Sequence, residues 1–152
     1  MDVDLDIQRE VVGLPKDQEL VKWVKEVLTF EQHGDTELTI RFVSEEESAE
    51  LNNQYRNKQN STNILSFPFE MPEEVELNLL GDLVVCSAIV KKEAAEQKKE
   101  ELAHWAHMIV HGTLHLLGYD HLTDAEASIM ESKEIIILSQ LGYSDPYREL
   151  EA

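Results

Sequence analysis

Apolar and polar residues alternate in VDLDIQ (3–8), the period of a strand with one buried face. The pattern then turns helical. Pro15 opens a helix through QELVKWVKEVLTF, which sets Leu20, Val24, Val27 and Leu28 on one face. Alternation returns in TELTIRFV (36–43), with Leu38, Ile40 and Phe42 on one side. Ser44 is a good N-cap for EEESAELNNQYR, and Glu47 holds the capping-box position. NILSFPFE (63–70) reads as a strand, and because Pro68 has no N–H to give a ladder, it is an edge or a strand end. LLGDLVVCSA (79–88) is a more apolar strand, after which Ser87 is placed to cap the helix IVKKEAAEQKKE. Two more helices run from about Glu100 to Leu117 and from about Asp124 to Leu141, the last closed by Gly142. The order β-α-β-α-β-β-α-α-α predicts one α+β domain over residues 1–152, a small mixed β-sheet packed by helices.

Composition narrows the function. The chain has 31 acidic against 13 basic residues, a formal net charge of −18. That balance argues against broad, non-specific nucleic-acid binding, which rests on a basic surface. Acid concentrates in EEES (45–48), EMPEEVE (70–76) and DPYRELEA at the C-terminus, so a local cationic site remains feasible elsewhere. The lone Cys86 sits in the apolar run LVVC and reads as a buried small hydrophobe, a usage that suits a reducing cytoplasm. MDVDLDIQRE has no basic region followed by an apolar run, and IIIL (135–138) is far too short to span a bilayer. The expectation is a soluble, cytoplasmic protein with no membrane partner.

The segment HGTLHLLGYDH (111–121) carries the chemistry. Residues four apart on a helix lie one turn above each other, so His111 and His115 can offer imidazole nitrogens to one ion. Gly118 can take a left-handed conformation, end the helix and swing the chain back, returning His121 as a third ligand. Three neutral imidazoles suit one Zn²⁺ and leave a fourth position open, which marks a catalytic site; Ni²⁺ or Co²⁺ would also be accepted. The predicted site is therefore zinc-hydrolase-like, at the end of a long helix. His104 and His107 continue the stripe upward, but from 107 to 115 the helix rises roughly 12 Å, too far for one ion. Those two are assigned to packing or to bonds that orient the ligands.

The spacing H-x3-H-x2-G-x2-H is that of the metzincin zinc peptidases, in which glutamate follows the first histidine and activates water. Gly112 stands at that position here, so the usual general base of a peptidase is missing. Asp120 is a substitute, or it makes an orienting hydrogen bond beside the ligand.

HGTLHLLGYDH resembles the signature of the YbeY family of bacterial endoribonucleases and ribosomal-RNA maturation factors. LNNQYRNKQNSTNILSFPFE (51–70) resembles the family segment with N-x-x-Y-R followed by T-[DN]-V-L-S-F-P, and GDLVVC (81–86) resembles its GDI-type strand. Asn63 and Ile64 depart from the aspartate and valine common there, at no ligand position.

The resemblance implies zinc bound by His111, His115 and His121, cleavage of single-stranded RNA, maturation of 16S rRNA 3′ ends and ribosome quality control. It places an active-site arginine at Arg56, whose guanidinium offers paired donors to phosphate oxygens. A domain at −18 is expected to bind free RNA poorly and to act when delivered by the ribosome or a ribosome-associated protein; no DNA partner is expected. Other readings are a zinc peptidase or amidase, and a metal-stabilised ribosome-binding module without catalysis. Lys91, Lys92, Lys98 and Lys99, placed on one helix, with Lys58 near Arg56, read as a solvated face or a small landing strip for phosphate. Phe67, Phe69, Trp105 and Tyr119 read as core before base-stacking residues, and Tyr55 is the aromatic nearest Arg56.

Overall fold

The computed structural model describes residues 3–9, 15–56, 63–68 and 79–147. Its elements follow the predicted order: β1 (Val3–Arg9), α1 (Asp17–Phe30), β2 (Thr36–Val43), α2 (Glu45–Arg56), β3 (Ile64–Pro68), β4 (Leu79–Cys86), α3 (Ser87–Glu96), α4 (Glu101–Leu116) and α5 (Asp124–Gln140).

The strands form one mixed sheet in the order β1-β2-β4-β3. β1 and β4 both pair parallel to β2, while β3 runs antiparallel to β4 at the edge. Pro68 accordingly ends an edge strand, opposite Gly81. Gly81 has φ +151°, and a Cβ there would lie 2.4 Å from the Phe67 carbonyl oxygen, so the close approach of the two strands demands glycine.

Side chains alternate between the faces of this sheet. Leu38, Ile40 and Phe42 of β2, with Leu83 and Val85 of β4 and Ile64 of β3, join the main core with α1 and α4. Their neighbours Val43, Leu65 and Val84 form a second cluster with the partly buried Leu51 of α2 and Phe67. Helices therefore cover both faces, which is what a largely parallel sheet requires. Cys86 is fully buried, and burial raises its thiol pKa, so it is an inert core residue.

α4 is the centre of the molecule. Eleven of its residues are buried, which leaves almost no solvent face. It packs on β3 and β4 and against α1, α3 and α5. Trp105 is core, edge-on to Phe42 at 5.7 Å between ring centroids; removing a buried aromatic of this kind costs about 3–5 kcal/mol.

Ser44 caps α2 as expected, its Oγ accepting from the Glu47 N–H at 3.2 Å, and the Glu47 carboxylate pairs with Arg41 of β2. Two local expectations need correction. Ser87 does not cap α3. β4 runs straight into that helix, Cys86 occupies the capping position, and the Ser87 hydroxyl is buried without a hydrogen-bond partner. α3 also stops at Glu96, so Lys98 and Lys99 lie beyond it, off the helix that carries Lys91 and Lys92. Lys99 instead donates from Nζ to the Pro146 carbonyl at 2.7 Å, which ties the α3–α4 connection to the segment after α5.

Candidate active site

α4 ends in a glycine turn that sets up the histidine cluster. Gly118 has φ +106°; its N–H bonds the His115 carbonyl at 3.0 Å, and the Tyr119 N–H bonds the Leu114 carbonyl at 3.2 Å. These are the two bonds of a Schellman ending, which satisfies helix carbonyls while reversing the chain. The turn also fixes His115. Its Nδ1 lies 2.6 Å from the Tyr119 carbonyl oxygen, and a carbonyl can only accept, so Nδ1 carries the hydrogen and the neutral ring keeps its lone pair on Nε2. The Tyr119 ring rests 4.9 Å from the Lys133 ammonium, which also reaches Glu31 at 3.1 Å. α5 and the end of α1 thus brace the turn.

The returning chain brings His121 to the other two histidines. Ring centroids are 6.2 Å apart for His111 and His115, 5.5 Å for His111 and His121, and 6.0 Å for His115 and His121. Three imidazoles on one tetrahedral ion have centroids about 5 Å apart, given a Zn–N length of about 2 Å. Among the described residues, no group of three or more His, Cys, Asp or Glu side chains is placed to hold a metal ion. The rings are within roughly an ångström of that spacing, a distance side-chain rotation covers. The donor set fits such an ion in chemistry, three imidazoles, of which His111 and His115 have Nδ1 already committed and Nε2 free to bind. Asp120 Oδ1 accepts from the His121 N–H at 2.8 Å, shaping the backbone that presents that ring.

His111 is held by a residue that the sequence reading missed. Glu134 of α5 is completely buried, and its Oε1 lies 3.1 Å from His111 Nδ1 and 2.8 Å from His107 Nε2. Its Oε2 accepts from the Tyr147 hydroxyl at 2.9 Å. Burial pushes this carboxyl pKa up, yet the bonds from His107 and His111 outweigh that and hold it at about 2. The carboxylate is therefore ionised and accepts from every neighbour. Higher on α4, His104 is buried with Nε2 3.1 Å from Glu93, whose carboxylate also takes the Asn63 amide at 3.1 Å. Burial lowers the His104 pKa, and the Glu93 bond only partly restores it. Neither His104 nor His107 belongs to the three-ring cluster, as their spacing predicts.

Gly112 explains the missing glutamate. A Cβ at this position would lie 2.7 Å from Ile64 Cδ1 and 2.9 Å from Leu83 Cδ2. Residue 112 faces the sheet, where α4 makes its closest approach, so no catalytic side chain fits there. Arg56 is the last residue of α2; its side chain, with that of Tyr55, lies outside the described residues, as do Lys58 and Phe69.

Fold and site together define an α+β domain built around a buried helix whose end gathers three histidines. The family model of endoribonuclease YbeY matches residues 5–142, and the chain belongs to that family. It is an endoribonuclease, a hydrolase acting on RNA, with a role in rRNA maturation. The solution structure of TM1509 from Thermotoga maritima is similar, with a TM-score of 0.60 at 29% sequence identity over 95% of this chain and 99% of that one. No described helix is long and apolar enough to cross a membrane.

Proposed function

We propose that the protein is a zinc-dependent endoribonuclease specific for single strands, acting on the 3′ end of 16S rRNA and in ribosome quality control. The observation that supports this most directly is the convergence of His111, His115 and His121, with the Nδ1 atoms of the first two bonded to Glu134 and to the Tyr119 carbonyl. These three side chains would hold one ion, for which Ni²⁺ or Co²⁺ would substitute. When bound, the ion supplies Lewis acidity, making a water acidic near neutral pH and offsetting charge on a phosphoryl oxygen.

The protein's own groups do the rest. Arg56 binds the scissile phosphate through paired guanidinium donors and stabilises charge that develops there. Asp120 orients His121 through its bond to the backbone N–H and would handle a proton. With a net charge of −18, the protein approaches free RNA against repulsion. The ribosome or a ribosome-associated protein therefore delivers it in the cytoplasm, and neither DNA nor a membrane is a partner. Gly112 removes the base that a peptidase or amidase reading would need.

Titration calorimetry with Zn²⁺ tests the ligand set: one ion per chain for wild type, and at least about tenfold weaker binding for each of His111→Ala, His115→Ala and His121→Ala. Arg56→Ala should bind zinc normally while losing about 100-fold or more in cleavage rate. An Arg56→Ala protein that cleaves at the wild-type rate would leave the ion as a structural fastener or the phosphate to another group.

A further inference from the structure

We infer that Glu134 is the positioning residue that prepares His111 as a metal ligand, and that Tyr147 completes its hydrogen-bond set; this rests on the metal reading above. Glu134 sits on the buried stripe of α5 with Met130, Ile137 and Leu138, where an apolar residue would be the ordinary choice. A carboxylate in that place is stable only if donors surround it. Three do: His107 Nε2, His111 Nδ1 and the Tyr147 hydroxyl, at 2.8, 3.1 and 2.9 Å.

The chemistry of that set has one consequence for the cluster. Oε1 is shared by two imidazole nitrogens and Oε2 is taken by the Tyr147 hydroxyl, so Oε1 serves both rings as acceptor and His111 presents Nδ1–H to it. The neutral His111 ring then keeps its lone pair on Nε2, the same tautomer that the Tyr119 carbonyl imposes on His115. Two different acceptors, one on α5 and one in the glycine turn, thus prepare both helical histidines alike. His107 acts as the spacer. It bonds the same Oε1 and lies edge-on to both His111 and Tyr147, with centroids 6.4 and 5.2 Å away.

Tyr147 arrives from the segment after α5, folded back over the helix. Its backbone N–H bonds Asp145 Oδ1 at 2.8 Å, and the neighbouring Pro146 carbonyl is held by Lys99. The end of the described chain is therefore coupled through Glu134 to a residue of the candidate active site.

The test compares wild type, His115→Ala, Glu134→Gln and Tyr147→Phe. Two readouts serve: zinc affinity by competition with a chromophoric chelator, and the ¹⁵N imidazole spectrum of the metal-free proteins, with thermal melts confirming that each is folded. Glutamine is uncharged and keeps a single acceptor oxygen for His107 and His111, its NH₂ turned to the Tyr147 hydroxyl, which can accept, so Glu134→Gln should weaken zinc binding about 10–100-fold. Without an anionic acceptor, the preference of His111 for the Nδ1–H tautomer should also weaken. Tyr147→Phe, the milder change should Glu134→Gln fail to fold, should keep the tautomer and lose about 3–10-fold in affinity. A folded Glu134→Gln protein that keeps the wild-type zinc affinity overturns the positioning role. Unchanged affinity in Tyr147→Phe removes Tyr147 from it. If wild type takes up no zinc, or His115→Ala takes it up equally well, the metal reading itself fails, and the first two arms show this before any Glu134 variant is compared.

Discussion

The Nδ1–H of His115 donates to the Tyr119 carbonyl oxygen, 2.6 Å away across the turn made by Gly118. Helix ending and ligand preparation are therefore one feature. The turn that reverses the chain also decides which nitrogen of His115 is available.

Gly118→Ala should separate the contributions of that turn. A Cβ meets no atom there, so the cost is conformational, from φ +106° alone. We expect a loss of about 1 kcal/mol or slightly more in urea unfolding. Zinc affinity should fall along with it, because His115 and His121 are both positioned by the turn. An affinity at the wild-type level would show that the histidines find the ion without it.

Restoring the peptidase glutamate should fail. Gly112→Glu drives a charged side chain against Ile64 and Leu83 in the core, and should cost at least about 3 kcal/mol or prevent folding. Gly112→Ala, which only pushes on the tips of those two side chains, should cost about 1–3 kcal/mol. Denaturant melts of both variants measure this. A stable Gly112→Glu protein would mean that α4 sits farther from the sheet than described.

His104 should give stability a pH dependence of its own. Burial lowers its folded pKa below the ordinary 6.5, against the opposing bond from Glu93. Below about 6.5 the unfolded chain then binds the extra proton first, so stability falls as pH drops toward the folded pKa, by at most about 1.4 kcal/mol per pH unit. Glu134 has the same sign in a lower window, between its ordinary 4.5 and about 2. Urea unfolding at pH 7, 6 and 5 should therefore show a shallower slope for His104→Gln than for wild type. Parallel slopes would contradict the assignment.

Much of this arrangement was legible in the residues. The alternation of TELTIRFV matches β2 to the residue, Pro68 announced an edge strand, and Gly118 announced the turn that brings His121 back. Those signals are local, and local chemistry fixes them. Strand order was not legible, since neither the parallel β1–β2 and β2–β4 pairing nor the antiparallel edge leaves a mark on any single segment. Ser87 misled because a capping residue type does not reveal that a strand enters its helix without a loop. Glu134 escaped because it lies 23 residues beyond His111 on another helix. A signal existed, however: Met130, Glu134, Ile137 and Leu138 fall on one helical stripe, and a glutamate among three apolar residues at that spacing is a buried carboxylate awaiting donors. Arg56 rests on the family motif alone, since its side chain lies outside the described residues.

The most direct test of the central claim is cleavage of an end-labelled single-stranded RNA by purified protein. Zinc-loaded wild type, chelator-treated wild type and His115→Ala would be compared side by side. The account predicts cuts by the first preparation, none by the other two, and recovery of the chelated sample when zinc is returned. Equal cutting by all three would contradict a catalytic metal held by the histidine cluster.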